Sequence, residues 1–201
     1  MTTKAQADER PRLLLASTSP RRFSLLADAG VPFDVVAPRD VAEDIPAGED
    51  PAALVQRHAL AKARSVAAVQ DGRIILGADT VVVHDGVTYG KPADAAAARA
   101  MLAALQGRGH TVYTGLALLP PGGGELTGAE ATDVVIRSLT DEEIDIYVAS
   151  GEPLDKAGGY AIQGKGAFLV ERVDGDYFNV VGLPLYRLSL LLARLGYEVF
   201  R

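Results

Sequence analysis

The run from Leu13 to Gly30 reads LLLASTSPRRFSLLADAG and decides the first unit of the fold. Its opening apolar residues predict a buried strand, and the spacing of the later apolar residues predicts a short helix. Ser19 is a typical N-cap residue, Pro20 suits the first helical position, and Gly30 follows the expected end of the helix. The chain therefore opens with a strand, a tight turn and a helix.

Two arginines directly follow the proline of this turn. Arg21 and Arg22 fall in the first helical turn, where the helix dipole and the unpaired N–H groups favour negative charge. Two cations at this place make sense if a phosphate or carboxylate binds between them and the backbone. Solvent exposure of both guanidinium groups explains them equally well, because exposed charges are screened and cost little.

Composition and charge limit the class of protein. The 201 residues include 48% apolar and 23% charged residues, which is typical of a globular protein with one domain. We expect a flexible leader at residues 1–11 and a single domain at residues 12–201. The net charge of −6 gives no chain-wide basic surface for nucleic acid, and no apolar run fits a signal peptide or a membrane span. The cytoplasm is the expected compartment.

The residues available for metal binding are few. Cysteine is absent, which excludes disulfides and thiolate metal sites, and the three histidines, His58, His84 and His110, are scattered along the chain. A bound metal would therefore be a hard cation held by carboxylates and substrate oxygens.

Helical and strand patterns alternate along the rest of the chain. Turn pairs such as Asp85-Gly86 and Asp174-Gly175 predict antiparallel hairpins, so the expected class is α/β with a mixed twisted sheet flanked by helices. The long glycine-rich segment 152–166 is typical of a binding loop. Strands are expected at residues 32–36, 74–83, 87–90, 111–119, 130–138, 167–173 and 177–181, and helices at residues 51–69, 95–105, 141–149 and 184–195.

Asp79 is the strongest functional candidate from the residues alone. It interrupts the most apolar strand of the chain, and a carboxylate there is costly to bury unless it is paired, hydrogen-bonded or bound to a metal. The small residues Gly77 and Ala78 directly before it are expected to leave room for a ligand. We therefore expect Asp79 to serve function more than structure.

Further charged residues complete a possible site for phosphate chemistry. Lys62 falls near the inward stripe of its predicted helix, although a surface lysine that covers apolar residues with its stem would give the same pattern. Cations around a buried carboxylate suit metal-assisted hydrolysis of a phosphoanhydride. Nucleotide-binding glycine loops and the serine hydrolase elbow are absent from the sequence. The candidate cations are Arg21, Arg22, Lys62, Lys91, Lys156 and Lys165, and the candidate carboxylates are Asp40, Glu43 and Asp79.

Several motifs in order resemble the Maf (septum-formation) family of nucleoside triphosphate pyrophosphatases. They are STSPRR at residues 17–22, GADT at 77–80, GKP at 90–92 and the run from GEPLDK at 151–156 through AIQG to NVVGLPL at 179–185. The resemblance implies a two-lobed α/β fold around a central cleft, similar to inosine triphosphatase, and a homodimer. It also implies a divalent cation, Mg²⁺ or Mn²⁺, and a nucleoside triphosphate substrate.

The same resemblance implies roles for individual residues. Asp79 resembles the family's proton acceptor, and Glu43 resembles its acidic residue on the metal side, so these two carboxylates would hold the cation. Arg21, Lys62 and Lys91 resemble the family's phosphate contacts, and Lys62 and Lys91 are expected to belong to the catalytic group. The expected substrate-binding residues are Ser17, Arg21, Arg22, Thr80 and Gln163. The sequence departs from the family pattern at Thr18, His58 and Tyr89, and none of these departures removes a charged group.

The expected activity follows from the branch that the motifs resemble. Arg22, Thr80 and Gln163 resemble the branch that converts dTTP and UTP to the monophosphate and pyrophosphate, with modified pyrimidine nucleotides as further candidate substrates. The amide of Gln163 suits a pyrimidine because it can both donate and accept hydrogen bonds. Two alternatives are a 7-methyl-GTP pyrophosphatase and a nucleotide-binding regulator of cell division without catalytic activity.

Overall fold

A computed structural model describes residues 10–200, in which helices and strands alternate as expected. The strands are β1 (Leu13–Ala16), β2 (Phe33–Val36), β3 (Ile75–His84), β4 (Val87–Tyr89), β5 (Gly109–Leu119), β6 (Leu126–Ile136) and β7 (Val170–Asp174). The helices are α1 (Pro20–Asp28), α2 (Pro51–Ser65), α3 (Ala95–Leu105), α4 (Asp141–Ala149), α5 (Tyr177–Val181) and α6 (Leu185–Ala193). Short 3₁₀ turns cover residues 67–69, 152–155, 157–159 and 164–168.

The strands form one seven-stranded mixed sheet, which confirms the predicted class. Its order is β2-β1-β3-β5-β6-β7, and β4 pairs with β3 beside this path. β1 is parallel to both β2 and β3, because the crossovers through α1 and α2 return the chain to the end of the sheet at which β1 starts. All other pairs are antiparallel.

Strand β3 has a gap on one of its edges. β1 pairs with residues 75–77 of β3, and β4 pairs with residues 82–84 of the same strand. In the described part of the chain, residues 78–81 therefore pair with β5 alone. Asp79 and Thr80 lie in this gap, directly beyond the end of β1, so both can face a cleft that opens between the two flanking strands.

Two main clusters of buried apolar side chains lie at the two ends of the sheet. The first joins β1 to α1 and α6 through residues such as Leu15, Leu26 and Leu192. The second joins β5 and β6 to α3 and α4 through residues such as Leu102 and Ile144. These clusters form the cores of two lobes, with the gap of β3 between them.

Helix α2 approaches the sheet closely because two glycines lie beneath it. A Cβ atom at Gly77 would lie 2.1 Å from the carbonyl oxygen of Ala59, and one at Gly115 would lie 2.3 Å from the backbone of Val55. The space at Gly77 is therefore filled by α2, which makes the prediction of room for a ligand at this residue wrong. Gly115 pairs directly with Asp79, so the same close approach brings α2 next to that carboxylate.

One predicted strand is a helix in the structure. Residues 177–181 form α5, because Asp176 caps the N–H groups of Phe178 and Asn179, and Gly182 ends the helix with a φ of 117°. The predicted hairpin after Asp174-Gly175 is therefore wrong. The long helix also ends earlier than predicted, at Ser65, and a separate 3₁₀ turn covers residues 67–69.

Arg10, the first described residue, contacts the other end of the described chain. Residues 1–9 of the predicted leader lie outside the described residues, and Arg10 hydrogen-bonds the backbone oxygens of Gly30 and Val199. None of the helices between residues 10 and 200 reaches the length and apolarity needed to cross a membrane.

Candidate active site

A cleft of ≈ 580 Å³ opens at the gap of β3, between the two lobes. Its walls are the β1–α1 turn, the acidic loop between β2 and α2 (residues 37–50), which contributes residues 38 and 40–43, and the glycine-rich loop after α4. All nine predicted site residues line this one cleft: Ser17, Arg21, Arg22, Glu43, Lys62, Asp79, Thr80, Lys91 and Gln163. The candidates Asp40 and Lys156 line it as well, whereas Lys165 lies in a separate shallow pocket next to Tyr147.

Asp79 is buried at the base of the cleft and remains charged. Its Oδ1 accepts a hydrogen bond from Lys62 Nζ at 2.5 Å, and its Oδ2 lies 3.0 Å from His58 Nδ1. Burial opposes ionisation of this carboxyl group, but the bonds from His58 and Lys62 outweigh it and lower the pKa of Asp79 to about 2. The cost of burying a carboxylate here is thus offset by two partners from α2.

Lys62 and His58 reach Asp79 because they lie one helical turn apart on the same face of α2. Both are buried, with exposed fractions of 6% for Lys62 and 1% for His58. Lys62 is therefore not the surface lysine that the sequence also allowed. Its ammonium group joins two carboxylates, since Glu43 Oε1 lies 2.7 Å away on the other side from Asp79.

Glu43 comes from the acidic loop and is more exposed than Asp79. Besides the bond from Lys62, its Oε2 lies 3.5 Å from Lys91 Nζ. Partial burial opposes its ionisation, but the hydrogen bond from Lys62 prevails and lowers the pKa of Glu43. Lys91 itself is half-exposed at the rim of the cleft, where a ligand can reach it.

The donor set of Glu43 and Asp79 fits a small divalent cation in one respect. Mg²⁺ is commonly bound by one or two carboxylates and completes its shell with substrate phosphates and water. Across residues 10–200, no cluster of three or more acidic, histidine or cysteine side chains is arranged to hold a metal. Protein ligands for a cation would therefore be these two carboxylates, with phosphate oxygens of a substrate as the remaining ligands.

Arg22 is buried and serves as a bridge between the two sides of the cleft. It donates from Nε to the Gly182 carbonyl at 2.8 Å and from Nη2 to Thr80 Oγ1 at 3.1 Å. Burial lowers the pKa of this guanidinium, yet an arginine stays protonated in a protein. The prediction that both arginines could extend into solvent is therefore wrong for Arg22.

The hydroxyl of Thr80 is oriented by a chain of bonds behind it. Thr114 Oγ1 donates to the carbonyl oxygen of Asn179 at 3.0 Å, and Thr80 Oγ1 lies 2.9 Å from Thr114 Oγ1. Because the Thr114 proton is engaged, Thr80 donates to Thr114 and accepts from Arg22. A ligand in the cleft therefore meets Thr80 as an acceptor.

Arg21 lies at the mouth of the cleft and is held by the opposite wall. Its Nη1 is 3.2 Å from Asp155 Oδ2, and Asp155 also contacts Lys156. Asp155 is more than half exposed. An incoming anion can replace such an exposed carboxylate partner at low cost.

Gln163 enters the cleft from the glycine-rich loop, which Glu152 holds in place. The Glu152 carboxylate accepts from Tyr147 Oη and from the backbone N–H groups of Lys165 and Gly166. These bonds fix the loop on both sides of its short turn. Gln163 itself is exposed and lines the cleft.

His58 is the residue that sequence reasoning missed. Its Nε2 lies 2.9 Å from the carbonyl oxygen of Asp44, while its Nδ1 faces Asp79. Both partners accept hydrogen bonds, so the ring makes both bonds only when it is doubly protonated, and the bond to Asp79 raises the pKa of His58. Its place one turn before Lys62 on the inward stripe was the available signal.

The fold and the site together define an α/β protein with a cation-lined cleft for a phosphate-bearing ligand, built around a buried carboxylate. Residues 12–195 match the family described as Maf-like protein, and the chain belongs to this family.

Relatives of known name match over nearly the whole chain. The dTTP/UTP pyrophosphatase of Moorella thermoacetica is 53% identical over 190 residues, which cover 94% of this chain and 97% of that protein. The dTTP/UTP pyrophosphatase of Symbiobacterium thermophilum is 51% identical over 189 residues, or 94% of this chain and 96% of that protein. Among solved structures, the Ham1 protein of Staphylococcus aureus matches with a TM-score of 0.46 and 13% identity, over 92% of this chain and 98% of that chain.

Proposed function

We propose that this protein is a nucleoside triphosphate pyrophosphatase that hydrolyses dTTP and UTP to the monophosphate and pyrophosphate. The observation that carries the proposal is the buried, ionised Asp79 bonded to Lys62 at the base of a cleft with Arg21 and Lys91 at its rim. The names of relatives at about half identity support the choice of substrate.

The cations of the cleft would bind the triphosphate and stabilise the negative charge that develops in this reaction. An ammonium group has three N–H donors, and Lys62 directs two of them to Asp79 and Glu43. The third is available to a phosphate oxygen, and Lys91 and Arg21 supply further positive charge at the rim. Together they offset the charge that a triphosphate brings and the charge that develops as the anhydride bond breaks.

Asp79 would take the proton of the attacking water. With both partners bonded, its pKa of about 2 makes it a weak base. A triphosphate oxygen that accepts the third N–H of Lys62 shares this ammonium with Asp79 and weakens one of the two bonds that lower this pKa. Substrate binding therefore strengthens Asp79 as a proton acceptor at the moment when the water must be activated.

A divalent cation, Mg²⁺ or Mn²⁺, belongs to the proposal and would be held by Glu43 and Asp79. When bound, it supplies Lewis-acid polarisation of a phosphoryl oxygen. Lys62 Nζ contacts one oxygen of each carboxylate, so both carboxylates lie close enough together to share a cation through their remaining lone pairs, with substrate phosphate oxygens and water as its other ligands.

Recognition of the base falls to residues on the other side of the cleft. Thr80 presents an acceptor that Arg22 and Thr114 hold in place, and the amide of Gln163 can donate and accept. A pyrimidine with one imide N–H between two carbonyl groups has the complementary pattern. This complementarity supports dTTP and UTP as substrates.

A panel of triphosphates tests the proposal. The purified protein is incubated with Mg²⁺ or Mn²⁺ and dTTP, UTP, dCTP, GTP or 7-methyl-GTP, and monophosphate, pyrophosphate and orthophosphate are detected separately. We expect monophosphate and pyrophosphate from dTTP and UTP. Turnover of 7-methyl-GTP alone would overturn the substrate, orthophosphate release would overturn the reaction, and tight binding without any product would indicate a regulator.

The assembly and compartment remain part of the same proposal. We propose a homodimer, as the family resemblance implies, and the cytoplasm as its compartment. Light scattering on the purified protein at micromolar concentration tests the dimer, and a monomer at all concentrations would exclude it.

A further inference from the structure

His58 is a buried polar residue that the proposed reaction does not yet use. It does not line the cleft, yet it touches Asp79, which forms the base of the cleft. This histidine has an exposed fraction of 1% and makes two specific hydrogen bonds, one from each ring nitrogen. These contacts indicate that His58 acts by holding its two partners, Asp79 and Asp44, in place.

The first bond fixes the orientation of the Asp79 carboxylate. Lys62 engages Oδ1 and His58 engages Oδ2, so each oxygen has a partner from the same helix. The terminal torsion of an aspartate side chain is soft when its oxygens lack fixed partners. Loss of the His58 bond would leave Oδ2 without a donor and the carboxylate free to turn about Lys62.

The second bond ties the acidic loop to the same helix. His58 Nε2 lies 2.9 Å from the Asp44 carbonyl oxygen, and Arg57, the preceding residue of α2, binds the Asp44 carboxylate at 3.1 Å. Helix α2 thus holds residue 44 through both its backbone and its side chain. Glu43 directly precedes Asp44 in this loop, and the ion pair with Lys62 also attaches Glu43 to α2.

We infer that His58 is a positioning residue that sets the orientation of the Asp79 carboxylate for the reaction. The inference rests on the proposed function, because it acts through Asp79. His58 touches neither the substrate nor the cleft, so its effect belongs to the chemical step and not to nucleotide affinity. Its bond to Asp44 has the separate effect of holding the acidic loop.

Two amide substitutions separate the two bonds. The amide nitrogen of asparagine takes the place of Nδ1, so His58→Asn keeps the donor to Asp79 and loses the donor to Asp44. The amide nitrogen of glutamine takes the place of Nε2, so His58→Gln keeps the donor to Asp44 and loses the one to Asp79. His58→Leu has neither donor and a similar size.

Steady-state kinetics with UTP provide the measurement. Loss of an outer partner of a functional group costs about 10- to 100-fold in activity. We therefore expect kcat of His58→Gln and His58→Leu to fall about 10- to 100-fold with KM within about threefold of wild type. His58→Asn should recover at least about a third of the wild-type kcat.

A matched control is His84, a second buried histidine, which lies on β3. His84→Asn removes a side chain whose Nδ1 donates to the Gly109 carbonyl, away from the cleft, and should keep the wild-type kcat. Thermal melting identifies variants that fail to fold. If His58→Gln and His58→Leu both fail to fold, the kcat of His58→Asn decides: recovery supports the inference, and a loss beyond tenfold overturns it.

The remaining outcomes are distinct. Folded His58→Gln and His58→Leu with wild-type kcat would overturn the positioning role, and so would a His58→Asn variant as impaired as His58→Gln. A higher KM with unchanged kcat in His58→Gln and His58→Leu would also overturn it. A wild-type protein that releases no pyrophosphate from any nucleotide of the panel would instead overturn the proposed function.

Discussion

Two groups of side chains, one at the cleft and one on β3 and β5, each hold a buried histidine, but in opposite electrostatic environments. In the cleft cluster, defined as His58, Lys62, Asp79 and Glu43, the carboxylate of Asp79 raises the pKa of His58. The second group is the histidine pair His84 and His110. Among residues 10–200 no carboxylate hydrogen-bonds His110, whose Nε2 lies 2.6 Å from Tyr160 Oη. Burial lowers the pKa of His110 to about 4.

The difference shows that burial by itself favours the neutral form and that a charged group persists only where partners offset its desolvation. His110 is neutral at physiological pH and packs edge-on against the Tyr160 ring at 5.2 Å between ring centroids. The cleft cluster instead holds charges of both signs together. Such an arrangement is costly for a core and useful for binding a highly charged ligand.

Removal of the central charge should give the largest effect. Asp79→Asn leaves a side chain of the same size but no proton acceptor, and we expect kcat with UTP to fall about 1,000-fold. Asp145→Asn, which removes an exposed carboxylate that pairs with Arg99, should leave kcat unchanged. Full activity in Asp79→Asn would mean that the cleft cluster is no more catalytic than the histidine pair.

The close approach of α2 to the sheet should give the next largest effect. In Gly115→Ala the new Cβ would meet the backbone of Val55 at 2.3 Å, and we expect the free energy of unfolding to fall by about 3 kcal/mol. Gly109→Ala is the control next to the histidine pair, because its Cβ would meet nothing closer than 4.0 Å. Urea unfolding measures both variants.

Kinetics of the same glycine variants sharpen the comparison. Because Gly115 lies under the helix that carries His58 and Lys62, folded Gly115→Ala should also lose UTP turnover. Gly109→Ala should keep it. Equal stabilities of the two variants would contradict the packing of α2 described above.

The pH dependence of the free energy of unfolding should show the titration of His110, one member of the histidine pair. His110 has a folded pKa of about 4, below its ordinary 6.5, so the unfolded chain binds this proton more readily as the pH falls. Its contribution to stability is full above pH 6.5 and is lost on acidification, by about 2 kcal/mol between pH 7 and pH 5. Urea unfolding at both values should show that loss in wild type and a smaller one in His110→Gln.

Much of the fold could be predicted because its signals are local. The strand, turn and helix of residues 13–30 follow from an apolar run, a proline and a glycine, and the capping box of α4 joins Thr140 to Glu143, three residues on. Helix α5 was missed because Tyr, Phe and Val favour strands, whereas its cap and its glycine end set the backbone.

In the candidate site, too, the features that could not be predicted depend on contacts between residues far apart in the sequence. Residue chemistry indicated Asp79 and the cations, and the structure brings all of them except Lys165 to one cleft. The burial of Arg22 depends on a carbonyl 160 residues away, and the role of His58 depends on a carboxylate 21 residues away on another element. Gly77 was assigned to a ligand because a sequence does not reveal that a helix occupies the space. Contacts of this kind follow from packing and have no local pattern.

The smallest effect is a shift in one histidine's titration, measured by NMR of the ring C–H signals. We expect His58 to titrate above 6.5 and His110 near 4, with assignments from His58→Asn and His110→Gln. Asp79→Asn removes the charge that raises the pKa of His58 while its burial persists, so that pKa should fall and the pKa of His110 should not move. An unchanged His58 titration in Asp79→Asn would show that the two histidines differ for a reason other than this carboxylate.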